Sequence, residues 1–106
     1  MAAHLSNTEF DAAATLAHPS MEQLSFTGRR PDDGIDLWSP PAVAGDWATQ
    51  CGAGREHARE AIEYIRATGN AAMLPGIVRT IAERGGLGGV EIGFFTAIST
   101  EVAQGA

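Results

Sequence analysis

Lysine is absent from the sequence, and cysteine and tyrosine occur once each. With Cys51 alone, no intrachain disulfide can form. The basic residues are 7 arginines against 13 acidic residues, so the formal net charge is −6. Only Arg29 and Arg30 are adjacent. Binding a nucleic-acid duplex takes several clustered cations, and so does attachment to an anionic membrane surface. Neither nucleic acid nor membrane is an expected partner. Long apolar runs are missing too: nothing approaches the roughly 18 residues needed to cross a bilayer. The first ten residues hold neither the basic nor the apolar stretch of a secretion signal. The expected compartment is the cytoplasm. Abundant alanine and glycine beside the missing lysine read as coding bias rather than function.

What is present fits one globular domain: 106 residues, 44% hydrophobic and 19% charged. The expected fold class is all-α, a small bundle of three to four helices with a long, largely irregular N-terminal half. A single domain over 1–106 would comprise an N-terminal helix and irregular wrapping segment (1–45) and a helical core (46–106). All prolines but Pro75 fall in the first part.

Ser6 and Glu9 form a capping-box pattern, with Leu5 and Phe10 at the staple positions, and predict a helix over 6–17 that His18-Pro19 ends. Ser20 and Gln23 repeat the pattern on a smaller scale, enough for a turn or two. Residues 27–45 are dense in turn formers and read as a loop, with a short extended piece near 35–38 and Trp38 as the natural packing anchor. Ala58, Ala61, Ile62 and Ile65 lie on one helical face that extends back to Gly54, Cys51 and Trp47. With Asp46 as N-cap and Gly69 at the end, they predict a helix over 46–68. Gly52 and Gly54 inside it call for a tight crossing or a break. Met73, Leu74, Ile77, Val78 and Ile81 predict the next helix, with Asn70 as its cap and Arg84-Gly85 as its stop. Val90, Ile92 and Phe94 alternate as a strand would. Phe94, Phe95, Ile98 and Val102 repeat as a helix would, and a helix over 90–103 is favoured.

Candidate sites are sparse. His57, Glu60 and Glu63 recur every three residues and could approach a metal on one side of a helix. They read better as a solvated polar face with local ion pairs, because no second cluster faces them. Cys51 with His57 and Glu60 is the least that a thiol-dependent enzyme would need. Cys51 reads better as a small buried hydrophobe. The connector Gly85–Gly89 lacks the lysine and the preceding strand of a phosphate loop. Asp32, Asp33 and Asp36 lack calcium-loop spacing. Beside an exposed Trp38, however, Asp33 and Asp36 would make a recognition patch, since aromatics concentrate at interface hot spots. Adjacent Phe94 and Phe95 point about 100° apart on a helix. Burial of both is the favoured reading, with Phe95 the one to face a partner if they divide.

These features predict a small acidic helical protein that acts by protein–protein interaction, as an accessory subunit, adaptor or inhibitor, with a protein partner or by self-association. No cofactor and no catalytic residue is expected. The alternative is a small ligand- or metal-binding protein, or a thiol-dependent enzyme, around Cys51, His57 and Glu60.

Overall fold

The computed structural model describes residues 20–105, and three α-helices carry most of them. They are α1 (Trp47–Thr68), α2 (Met73–Arg84) and α3 (Gly89–Gly105). Before them runs a strap, residues 20–45. It holds a single 3-10 turn, Met21–Gln23, and two short strands, β1 (Gly28–Arg29) and β2 (Ile35–Asp36). The strands pair antiparallel, Gly28 opposite Asp36 and Arg29 opposite Ile35. The helix expected over 6–17 lies outside the described residues.

Local signals set most boundaries. Asp46 caps α1, its Oδ1 accepting from both the backbone N–H and the hydroxyl of Thr49 at 2.9 Å. α1 and α2 end on Gly69 and Gly85, at φ 72° and 78°, a left-handed conformation that costs glycine little. Pro75 sits in the first turn of α2, where an N–H has no helical partner to lose. Asn70 does not cap α2 with its side chain. The N-cap is Ala72, and Asn70 contributes its carbonyl to Met73 N–H at 3.2 Å. Residues 90–96 are helical, and β2 pairs with β1 instead. The capping pattern at Ser20 holds in part, with Gln23 Oε1 accepting from Ser20 N–H at 2.9 Å.

α1 and α3 cross with their backbones nearly touching. A Cβ on Gly54 would stand 1.9 Å from the Val90 carbonyl oxygen, and one on Gly93 would stand 2.1 Å from that of Cys51. Only glycine fits at such an approach. Gly52 is different, because a Cβ there would meet no atom closer than 3.6 Å. The crossing therefore explains Gly54 and not Gly52.

So close an approach leaves little volume between the two helices. α1 offers the core chiefly Ala58 and Ala61, with His57 buried beside them. The large side chains come from elsewhere: Leu24, Phe26 and Trp38 from the strap, Met73, Ile77 and Ile81 from α2, and Phe94 from α3. Strap and helices thus share one apolar cluster. The apolar stripe of α1 is rotated from the expected one. Trp47 is 56% exposed and Ile62 only half-buried, while His57 falls inside.

Candidate functional site

His57 is buried, at 7% exposure, and not on a solvated face. On α1 it follows Gly54 by three residues and precedes Ala61 by four, which places it on the face that crosses α3 and meets the strap. The Phe26 and Trp38 rings stand edge-on to its imidazole, with centroids 5.8 and 6.1 Å away. Burial pushes the imidazole below its ordinary value of 6.5, and the nearby Glu60 carboxylate only partly opposes this. The ring is therefore neutral at pH 7.

The strap supplies its partner. Ser25 Oγ lies 2.9 Å from His57 Nδ1 and donates to the Glu60 carboxylate, while Ser25 N–H donates to Glu60 Oε1 at 2.9 Å. The serine hydroxyl has one proton and gives it to Glu60, so Nδ1 must carry the hydrogen that Oγ accepts. Glu60 and His57 themselves stand 3.9 Å apart, and with a neutral ring this is not an ion pair. Serine, histidine and glutamate also make hydrolytic triads, but there the histidine lies between the other two. Here the serine does. Neither cavity described below is lined by any of the three. The cluster is a clasp that fixes the strap to α1.

Two further clasps follow along the strap. Trp38 Nε1 donates to Glu91 Oε2 at 2.8 Å, and Glu91 Oε1 accepts from Gly88 N–H at the start of α3 at the same distance. One carboxylate thus caps a helix and holds an indole. Arg84 donates to the Trp38 carbonyl at 2.7 Å and to Asp36 Oδ2 at 2.6 Å. Burial raises the Asp36 carboxyl, but the bonds from Arg84 and from Trp38 N–H outweigh it and leave the group below its ordinary 3.8.

These contacts revise the sites expected from the sequence. Trp38 is 3% exposed and packs 4.8 Å from Phe94, so it anchors the strap and is not an exposed recognition aromatic. Asp36 is spent on Arg84. Asp33 stays exposed at the hairpin tip with φ 66°, and Asp32 turns to Arg30 and Gly34 N–H. The expected acidic patch is thereby dispersed. Glu63 pairs with Arg59 at 3.2 Å, apart from His57 and Glu60. Among the described residues no group of three or more His, Cys, Asp or Glu side chains is placed to hold a metal ion. Cys51 is half-buried at the helix crossing. Six residues of helix turn it about 120° from His57, so thiol and imidazole do not converge. Phe94 is fully buried, whereas Phe95 is half-buried and reaches a surface groove.

That groove runs between α2 and α3. Val78, Ile81, Ala82, Gly85, Gly86, Leu87 and Phe95 line a volume of about 500 Å³. Leu87, on the glycine connector, is 60% exposed and Val78 is 43% exposed. A second cleft, of about 480 Å³, opens on the opposite flank of α2, between that helix and β2. Its lining is mainly charged. No helix among the described residues is long and apolar enough to cross a membrane.

No family model, no curated protein and no solved structure matches the chain.

Proposed function

We propose that the chain is a protein-interaction module, an accessory subunit, adaptor or inhibitor, whose docking face is the apolar groove between α2 and α3. The observation that carries this reading is the pair Leu87 and Val78. Both are large apolar residues left open to water on the rim of a continuous apolar depression. Isolated exposed apolar side chains are ordinary, but a contiguous patch with a concave floor is what partner surfaces use. Half-buried Phe95 supplies the aromatic wall that interface anchors favour. The occupant that fits is a segment of another protein with apolar anchors at helical spacing and basic residues around them. The anchors fill the groove, and the basic flanks complement a chain of net charge −6.

Selection from a displayed library of random peptides against the immobilised protein tests this. Enriched peptides should carry spaced apolar anchors with arginine or lysine beside them. Their binding should be lost in Leu87→Asp and kept in Arg55→Gln, a surface change on α1. Peptides that bind Leu87→Asp as well as the parent would count against the groove. Light scattering during size exclusion separates a second copy as the occupant, since a dimer that Leu87→Asp splits would replace the partner reading with self-association.

A further inference from the structure

The charged cleft lies on the other side of α2 and has no part in the groove. Gly76, Arg79, Thr80 and Glu83 form one face of that helix at i, i+3, i+4 and i+7. Ile35, Asp36 and Leu37 of the strap face them, with Arg30 and Arg84 completing the lining. The glycine matters to its shape. A Cβ on Gly76 would stand 2.6 Å from Leu37 Cδ1, so Leu37 lies directly on the helix backbone.

The distribution of cations is uneven. The chain has 7 arginines, and Arg30, Arg79 and Arg84 meet in this cleft. Arg84 is held in place by Asp36 and the Trp38 carbonyl, which use two of the five N–H groups of a guanidinium. Arg30 gives one bond to Asp32 at 3.1 Å. Among the described residues, Arg79 pairs with Glu83, at a loose 3.7 Å. Asp36 is therefore already neutralised by Arg84, and the acids an incoming anion must displace are Asp32 on Arg30 and the more loosely held Glu83 on Arg79. The cleft thus combines an oriented arginine, two adaptable ones, a hydroxyl on Thr80 and an apolar wall of Ile35 and Leu37.

The geometry points to a binding site for a small organic oxyanion, a phosphate monoester or a carboxylate, with its charged group among Arg30, Arg79 and Arg84 and its organic part on Ile35 and Leu37. Arginine forks bind both oxyanions in paired hydrogen bonds. A volume of about 480 Å³ suits a metabolite-sized ligand.

Amide and guanidinium NMR shifts of the full chain, titrated with inorganic phosphate, phenyl phosphate and benzoate, test the assignment. Saturable shifts should gather at residues 35–37 and 76–84. Phenyl phosphate should bind more tightly than inorganic phosphate, and its rank against benzoate identifies the preferred oxyanion. Arg79→Gln should weaken the better ligand about tenfold, the scale of one lost hydrogen bond to a charged group. Glu83→Gln should tighten it. Arg55→Gln, which removes the same charge elsewhere, should change it less than twofold or so if net charge is not the cause. The assignment fails if no probe gives saturable shifts, or if Arg55→Gln weakens binding as much as Arg79→Gln does.

Discussion

Phe26 in the strap and Phe94 in α3 are both fully buried, with ring centroids 6.2 Å apart, yet the chain holds them by different means. Phe94 stands on a helix whose backbone bonds are made within the element, and whose contact with α1 depends on glycines. Phe26 stands on a strap with little regular structure. Its neighbours are fixed by side chains that reach far along the sequence: Ser25 to α1, Asp36 to Arg84 at the end of α2, Trp38 to α3. Because α1 and α3 approach so closely, they have no large side chains between them at the crossing. The strap brings that volume in from outside. Irregular backbone can therefore be as much a part of the core as helix, provided polar side chains satisfy what a sheet or helix would otherwise satisfy.

The largest test of this equality is Phe26→Ala. Emptying a fully buried aromatic site should lower unfolding free energy by about 3–5 kcal/mol in urea titration. Helical melting at an unchanged temperature would show that the strap is an ornament and the helices are self-sufficient. On the helical side, Gly54→Ala should cost about 3 kcal/mol, since its Cβ meets backbone that can yield only by parting α1 from α3. Gly52→Ala, two residues away, where a Cβ meets the Arg55 side chain at an ordinary contact distance of 3.6 Å, should instead stabilise by about 1 kcal/mol through helix propensity. Equal effects from the two alanines would remove the crossing as the reason for Gly54. Ser25→Ala should cost about 1–2 kcal/mol, leaving His57 Nδ1 without its acceptor. Its effect should also appear as faster amide exchange in residues 20–30 than in α1.

Acid should separate the two regions further. Unfolded His57 takes up its proton near 6.5, and the folded ring does so only at lower pH. The unfolded state thus binds more protons in that interval, and stability falls as pH drops below 6.5. Asp36 behaves alike in a lower range. Its folded carboxyl ionises below 3.8, so its contribution is present above that value and is lost as pH falls beneath it. Both groups tie the strap to helices. Melting temperatures measured from pH 8 downward should decline first through the histidine step. That step should vanish in His57→Gln.

The sequence made the helices legible because their signals are local. Asp46, Gly69 and Gly85 mark ends through chemistry that acts within a few residues, and the repeat of Phe94, Ile98 and Val102 outweighs the short alternation before it. The clasp was not legible, because Ser25 and His57 are 32 positions apart in the chain and nothing near either names the other. A weaker sign was present. Leu24-Ser25-Phe26 alternates apolar, polar, apolar, and His57 shares a helical face with Gly54 and Ala61 rather than with Arg59 and Glu63. Trp38 read correctly as an anchor and wrongly as an exposed contact. Its acidic neighbours suggested water, whereas Asp36 was matched by an arginine 48 positions on. The two clefts flanking α2 were invisible for the same reason, since each is walled by residues from separate elements.

The placement of the two tryptophans gives the protein an optical consequence. Trp38 lies in the strap's apolar seat with its indole bonded to Glu91, and Trp47 stands in water at the start of α1. Their emission should differ in wavelength, and acrylamide should quench Trp47 while sparing Trp38. Departure of the strap would then register as Trp38 becoming quenchable while the far-ultraviolet dichroism of the helices persists, so loosening of the strap and melting of the helices can be timed separately without any added label.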